Sequence, residues 1–557
     1  MNKKKKIIFI VIIFIASVLR FFISYKLPSF YLVNLKYDDL LMIKQLDSLT
    51  NGLFLGNYSD LTLIKGMIFP LILYYIKLFK LSFSVFFTII YILSCLYFIY
   101  AFSNISSNKK VLIILYIILL FNPVTYSSEL FQRLYINTIS ISELLLFLGS
   151  LIIVLFSKEE YIINYIILGT ISSIMLVTRN DNIWIYIVLL IVFVYKVYKN
   201  YSFKKIIINI IPFIIIILGF NILSFVNYKY YDIYTYNELE NSSFSKAYNN
   251  ITKIKDGSDN EIAIKKETFY KLSDKSKVFG FTREEIDNAY KKTKLTKNGE
   301  IDNGNIIWFF RGLTYTKYKF KNGKEADLYF KKLNNEIESL FKKGELKKKS
   351  NLPTIFINNP SKNLFITFPK SFVYALWYTS SYKNVRTYSY DDLNSLKTSG
   401  YDYKCKAFGV VYHNYRYAEN MITHNPVFYE IIRIIYAVII ILLSIPALII
   451  YIKNIKSKNK IIILEHILLL IYLLIMCGVV YTHVTAFNAI RYRYLSNIYI
   501  IQSIFIFLNI LVFIDKKNLM KGVLNDDFSN YSGIQRRKSH KKNNKRNSKS
   551  TKRKQNK

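Results

Sequence analysis

The chain has 557 residues, 52% of them hydrophobic, and a formal net charge of +40, and several of its apolar runs reach the roughly 20 residues that cross a hydrocarbon core. This excludes a soluble globular protein, and it makes the positive charge a topological signal: Lys and Arg concentrate in loops beside apolar spans and in the tail, so contact with anionic membrane lipids and no specific nucleic acid is expected. Of three cysteines, Cys95 and Cys477 lie in apolar runs and Cys405 stands alone in a polar stretch, which excludes a disulfide framework and a thiolate metal site.

The basic Met1–Lys6 runs into the apolar Ile7–Ser24. This is the order of a signal peptide, but Arg20 and the lack of a small-x-small cleavage site predict an uncleaved first helix. Apolar segments follow at 67–79, 84–103, 111–122, 137–156, 161–177, 183–197, 206–226, 428–452, 461–482 and 497–514, eleven in all. Lys3–Lys6 place the N-terminus in the cytoplasm, and Arg536–Lys557, with a dozen Lys and Arg and no acid, places the C-terminus there too. Eleven crossings cannot join two ends on one side. The basic loops Asn108-Lys109-Lys110, Lys204-Lys205 and Lys453–Lys460 all become cytoplasmic if 67–79 does not cross. That segment spans only about 20 Å as helix, contains Pro70 and is interrupted by Lys77.

The expectation is an α-helical polytopic protein of the cell membrane, with about ten transmembrane helices and an interfacial helix within a first external loop, 25–83. Residues 1–226 form an N-terminal membrane module, and 227–427 an extracytoplasmic, mostly helical domain inserted before the last three spans. Residues 428–514 are the C-terminal membrane helices, and 515–557 a basic, disordered cytoplasmic tail. In the insert, Phe330, Leu333, Ile337, Leu340 and Phe341 recur at helical spacing. Asn351-Leu352-Pro353 reads as a linker, and Ile355–Tyr378, with Pro360, Pro369 and Trp377, as a segment lying against the membrane.

The candidate chemistry starts at Tyr37-Asp38-Asp39, soon after the first span. A carboxylate there can act as a general base, or the pair can hold a divalent metal; the structural alternative is an ordinary helix N-cap before Leu40-Leu41-Met42-Ile43. Lys65-Gly66 opens the non-crossing helix, where a lysine either pairs with a lipid phosphate or merely snorkels. Asn122-Pro123 to Arg133, with Glu129, forms the second external loop, and Arg179-Asn180-Asp181 a tight third one. Arg491, Tyr492 and Arg493 precede the last span on the outer side, where arginine is disfavoured, so a guanidinium fork for phosphate stands against an interfacial aromatic anchor. Glu465-His466 lies within a span near its cytoplasmic end, where interfacial solvation accounts for it.

The order of these features resembles the GT-C superfamily of polyprenyl-phosphate-sugar glycosyltransferases, near the protein O-mannosyltransferase and lipid A aminoarabinose transferase group. The local matches are Tyr37-Asp38-Asp39 through Asp60-Leu61-Thr62-Leu63-Ile64-Lys65-Gly66 to Pro70, and Thr178-Arg179-Asn180-Asp181-Asn182-Ile183-Trp184. The resemblance covers roughly 1–226 and the last spans. It implies a GT-C-like fold and inverting transfer from a polyprenyl-phosphate-sugar donor to a glycan, lipid or protein acceptor on the outer face. It implies Asp38 or Asp39 as base and Lys65 on the carrier phosphate, with Arg491, Tyr492 and Arg493 around the donor and Glu129, Arg133, Arg179 and Asp181 as secondary residues. Ile64 stands where the family has an acid, and Asn180-Asp181-Asn182 lacks its paired acids, so beyond a possible divalent metal at Asp38 and Asp39 no cofactor is implied. Two other classes fit the same chain: a carrier or flippase of lipid-linked sugars, and a non-catalytic envelope protein whose 227–427 domain binds glycan.

Overall fold

The computed structural model describes residues 3–516, apart from 26, 33–35, 200, 257–261, 294, 296–297, 350–363, 389–409, 414–426 and 458. Cys405, the linker at 351–353 and the basic tail from 517 onward lie outside the described residues. The membrane part opens with helix α1 (Lys3–Tyr25), strand β1 (Ser29–Leu32), α2 (Asp39–Thr50) and the short α3 (Ile68–Leu78). It continues with α4 (Phe83–Phe102), α5 (Lys109–Leu120), α6 (Ser140–Phe156), α7 (Ile162–Thr178), α8 (Trp184–Lys199) and α9 (Phe203–Tyr231). Among the described residues, eight stretches are long and apolar enough to cross a membrane: Lys6–Tyr25, Phe83–Phe102, Ile136–Phe156, Asn180–Lys199, Phe203–Tyr231, Val427–Asn454, Lys460–Thr485 and Ser496–Asp515. The chain is therefore an α-helical polytopic membrane protein.

Two segments expected to cross form shorter helices, α5 with 12 residues and α7 with 17. At 1.5 Å per residue they cover roughly 18 and 26 Å of a core about 30 Å thick. Segment 67–79 is shorter still, 11 helical residues with Pro70 in the first turn. Its Phe69, Pro70, Leu73 and Ile76 are buried, and it packs against α2 and α7. Tyr75 and Leu78 of the same helix remain exposed.

Small residues set how closely the helices approach. At Gly169 of α7 a Cβ would stand 2.8 Å from the Pro212 Cα of α9, so only glycine permits this crossing. α4 packs on α6, and α1 on α4 and α5.

Between the membrane parts, α10 (Ser243–Thr252), α11 (Lys266–Lys275), α12 (Arg283–Lys291), α13 (Ile306–Tyr318) and α14 (Gly323–Lys342) enclose a separate aromatic core that includes Phe244, Phe269, Phe310 and Phe330. Leu333, Ile337 and Leu340 of the amphipathic α14 face it, with Phe341 packed at its edge. Capping boxes at Ser242 and Thr282 satisfy the first N–H groups of α10 and α12.

The next helix, α15 (Leu364–Ser380), covers the described part of the segment expected to lie against the membrane, residues 355–363 lying outside the described residues; it packs on the last three helices, α16 (Val427–Asn454), α17 (Lys460–Thr485) and α18 (Ser496–Lys516). Ala375, Tyr378 and Thr379 are buried there, while Phe365, Ile366, Val373 and Trp377 point outward. Beyond α15, β2 (Val410–His413) pairs in parallel with β1.

The helical insert is bolted to the first loop by a buried ion pair. Arg311 of α13 meets Glu238, and it donates from Nε to the Asp60 carbonyl at 2.7 Å and from Nη2 to the Thr62 carbonyl at 3.0 Å. The hydroxyls of Tyr58 and Tyr315 donate to the same Glu238 carboxylate at 2.6 and 3.0 Å. Removing one member of a buried pair leaves the other charge uncompensated, at a cost of about 3–5 kcal/mol. Arg311→Met is therefore expected to lower the thermal midpoint of the detergent-solubilised protein and to expose 52–66 to protease, whereas a surface control such as Lys331→Met leaves both unchanged.

Candidate functional site

β1 organises the site with its backbone. Its Phe30 carbonyl accepts the Leu134 N–H at 2.8 Å, drawing in the loop after α5, and its Leu32 N–H donates to Asp39 Oδ2 at 2.8 Å, fixing the start of α2. The loop itself is shaped by Asn122-Pro123. The Asn122 side chain accepts the Val124 N–H and donates to Tyr382 and Ser503, so the turn is anchored to the C-terminal half of the chain.

Asp39 and Arg133 then meet in a dry contact. The Arg133 Nε lies 3.0 and 2.9 Å from the two Asp39 oxygens, Nη2 adds a further bond, and the two side chains are 0% and 1% exposed. Burial opposes the charge on Arg133, but the Asp39 carboxylate more than offsets it and holds the guanidinium firmly protonated. The carboxylate's oxygens are spent on the fork and on the Leu32 N–H. Asp39 is closed to a substrate and acts by positioning.

Its neighbour Asp38 faces the other way. Its side chain is 29% exposed, with Lys65 Nζ at 3.3 Å from Oδ1 and the Tyr135 hydroxyl donating to the same oxygen at 2.8 Å. Lys65 in turn donates to the Tyr135 oxygen at 3.1 Å, closing a triangle. Burial raises the Asp38 carboxyl, but the charges of Lys65 and Arg133 and the Tyr135 hydrogen bond outweigh it, so the group sits below the usual aspartate range and is a carboxylate at neutral pH. Burial likewise disfavours charge on Lys65, and Tyr135 and Asp38 overcome this, holding the ammonium above an ordinary lysine. The buried Tyr135 phenol is pushed up to about 12 and stays a neutral donor.

Lys65 reaches this position because Gly66 follows it. A Cβ on Gly66 would stand 2.3 Å from the Val177 carbonyl, so only glycine lets the loop close on the end of α7. The next residues of that end are Thr178 and Arg179. Arg179 Nε donates to Asp181 Oδ1 at 2.9 Å, and Nη1 reaches the Arg493 carbonyl at 3.5 Å. The Arg493 Nε lies 4.0 Å from Glu129 Oε2, and neither atom has a hydrogen-bond partner among the described residues. Its charge also acts on Asp38.

Asp38, Asp39, Lys65, Glu129, Arg133, Arg179, Asp181 and Arg493 thus share one neighbourhood, although 455 residues separate the first from the last. Two expected members do not join it as expected. Tyr492 is buried, with its hydroxyl on Ser128 Oγ and the Glu129 N–H at 2.9 and 3.2 Å, so it supports the Glu129 loop and offers no free hydroxyl. The Arg491 guanidinium makes no ion pair among the described residues, while the Arg491 carbonyl accepts the Tyr494 and Leu495 N–H groups before α18.

A divalent metal at Asp38 and Asp39, which the sequence left as a possibility, does not fit. Both Asp38 and Asp39 are already paired with cations, so a divalent ion between them would face Lys65 and Arg133 at contact range. Among the described residues no group of three or more His, Cys, Asp or Glu is arranged to hold one. Tyr135 is the member that sequence reasoning missed. It is one of 48 tyrosines, and its place beside Arg133 is its one local signal.

Set against known proteins, the chain matches no family model, no curated protein and no solved structure.

The two neighbouring aspartates should separate cleanly in stability measurements. Asp39→Asn weakens a buried fork and is expected to lower the thermal midpoint by several degrees at neutral pH, while Asp38→Asn, at a partly open site, is expected to lower it less at neutral pH and not at all in acid. Because folding depresses the Asp38 carboxyl, its contribution is complete above the ordinary aspartate value and is lost as pH falls below about 4. Acid titration of stability should accordingly be shallower in Asp38→Asn than in the parent protein.

Proposed function

We propose that the chain is a membrane glycosyltransferase with a GT-C-like arrangement of about ten crossings, taking a sugar from a polyprenyl-phosphate donor at the outer face of the cell membrane. The observation that carries this reading is the half-open Asp38–Lys65–Tyr135 triangle ringed by Arg133, Arg179 and Arg493. An ionised carboxylate held beside fixed cations suits a reaction in which a proton is removed on one side and a phosphate departs on the other.

In the proposed step the Asp38 carboxylate takes the proton of an acceptor hydroxyl, and the freed oxygen pair attacks the anomeric carbon. The bond from that carbon to the phosphate oxygen breaks, the electron pair leaves with the phosphate, and configuration inverts. Lys65 and Arg493 face the growing negative charge. Tyr135 holds Asp38 and Lys65 in register, and Asp39 with Arg133 holds the start of α2. Arg493 suits the phosphate role because its Nε lacks a hydrogen bond and its link to Glu129 is loose. The acceptor is an envelope glycan, lipid or protein carrying a hydroxyl. The termini then lie in the cytoplasm and the helical insert outside.

A carrier of lipid-linked sugars is the second reading. It draws support from ionisable side chains buried inside spans, namely Arg20, Glu143 and Glu465.

Purified full-length protein in liposomes, supplied with a synthetic polyprenyl-phosphate sugar and a membrane extract as acceptor source, tests both. Loss of the general base is expected to slow transfer by about 10²–10⁴-fold in Asp38→Asn, and Lys65→Met by about 10²–10³-fold, with the fold intact by thermal melt. Translocation of the labelled lipid that survives Asp38→Asn, with no transfer in the parent protein, would replace the enzyme with the carrier.

A further inference from the structure

Glu465 lies in α17, five residues after Lys460 and so roughly 8 Å of helix rise from that end. The opposite end of α17 is Thr485, which adjoins the loop carrying Arg493. Glu465 is thus at the far membrane end from the Asp38 cluster. A glutamate this near a helix end usually reaches out to water or headgroups. Here it does not: the residue is 0% exposed, and neither Oε1 nor Oε2 has a hydrogen-bond partner among the described residues.

Among the described residues its surroundings offer no counter-charge. On its own helix Ile461, Ile462 and Leu468 are buried around it. The elements packed on α17 are α8, α15, α16 and α18. Among the described residues the one titratable group that they bring to act on Glu465 is Tyr451 of α16, whose ring also packs on Phe505 of α18. Tyr451 places its hydroxyl 3.4 Å from Nδ1 of His466, the residue after Glu465. Lys460, the nearest cation along the helix, donates to the Asn104 carbonyl.

An isolated carboxylate in such a place costs several kcal/mol, and buried polar groups that serve packing alone nearly always have partners. A carboxyl with two orphaned oxygens, close to a helix end and with no cation paired to it among the described residues, suits one ligand that needs no further room: a proton. We propose that Glu465 is a proton-binding site of the membrane domain, loaded and unloaded at the membrane end marked by Lys460 and His466. Loading converts carboxylate and hydronium into carboxylic acid and water, and unloading reverses it. The site is independent of the sugar-transfer reading.

Dicyclohexylcarbodiimide adds to protonated carboxyl groups in apolar surroundings to give a stable N-acylurea, so it reports protonation without any knowledge of activity. Full-length protein in liposomes is treated across about pH 6 to about pH 9, digested, and mapped by mass spectrometry. The expected result is an adduct on Glu465 that falls at least about tenfold as pH rises across this range. The adduct should be absent in Glu465→Gln and present in Glu465→Asp. The parent protein alone decides the matter if a variant fails to fold. No adduct on Glu465 at any pH, or an adduct of constant yield throughout, would overturn the proposal; constant yield would mean a permanently neutral side chain.

Discussion

The contact between Arg133 and Asp39 is the constraint from which the candidate site is assembled. It joins the first residue of α2 to the loop after α5, and β1 pins both partners with backbone hydrogen bonds. With Asp39 turned inward, the preceding Asp38 must emerge on the other side of the helix start. There it meets Lys65 and Tyr135. Two adjacent aspartates thereby take opposite roles, one wholly enclosed and structural, the other partly open and ionised. The division follows from geometry, since successive side chains at a helix start cannot face the same surroundings.

The inserted helical unit contributes by restraint. Arg311 grips two carbonyls of the first loop, and Asn303 donates to the Thr485 carbonyl at the end of α17. Tyr37, next to Asp38, stacks on Trp308 of the same insert at 4.9 Å between ring centroids. One body thus touches the loop that leads to Lys65 and the helix that leads to Arg493. Loops between membrane helices have few contacts of their own, and a charged site needs its groups held to fractions of an ångström. The insert supplies that rigidity from outside the membrane part.

Inside the membrane part the helices spend little on polar chemistry, which makes the exceptions informative. Arg20 donates to the Thr125 carbonyl and lies 3.6 Å over the Tyr126 ring. It braces the loop that carries Arg133, so its charge serves the site at one remove. Glu143, buried near Thr178 and Arg179, lies against the same cluster. Among the described residues Glu465 has neither a paired cation nor a charged cluster, and this isolation sets it apart.

The polytopic helical class was legible in the sequence because crossing a hydrocarbon core demands length and apolarity, both local properties of a segment. The short apolar run at 67–79 was legible for a related reason, as Pro70 and Lys77 interrupt it; the short α5 and α7 were not. Asp38, Lys65, Arg179 and Arg493 were visible as polar residues flanking spans. Their convergence was not, since it depends on which helix ends meet, and that is settled by contacts such as Gly66 on Val177 and Phe30 on Leu134. Nor could neighbouring residues be told apart: Asp38 from Asp39 and Arg493 from Arg491 differ only in the direction of the backbone at that point. The position of Glu465 along its helix implied solvation at the interface, yet the packing of α15, α16 and α18 on α17 encloses it. The sequence by itself determined that the chain is a polytopic helical membrane protein and which polar residues flank its apolar segments. Only the tertiary structure decided which of those ends share a site, because burial and charge pairing are properties of neighbours in space.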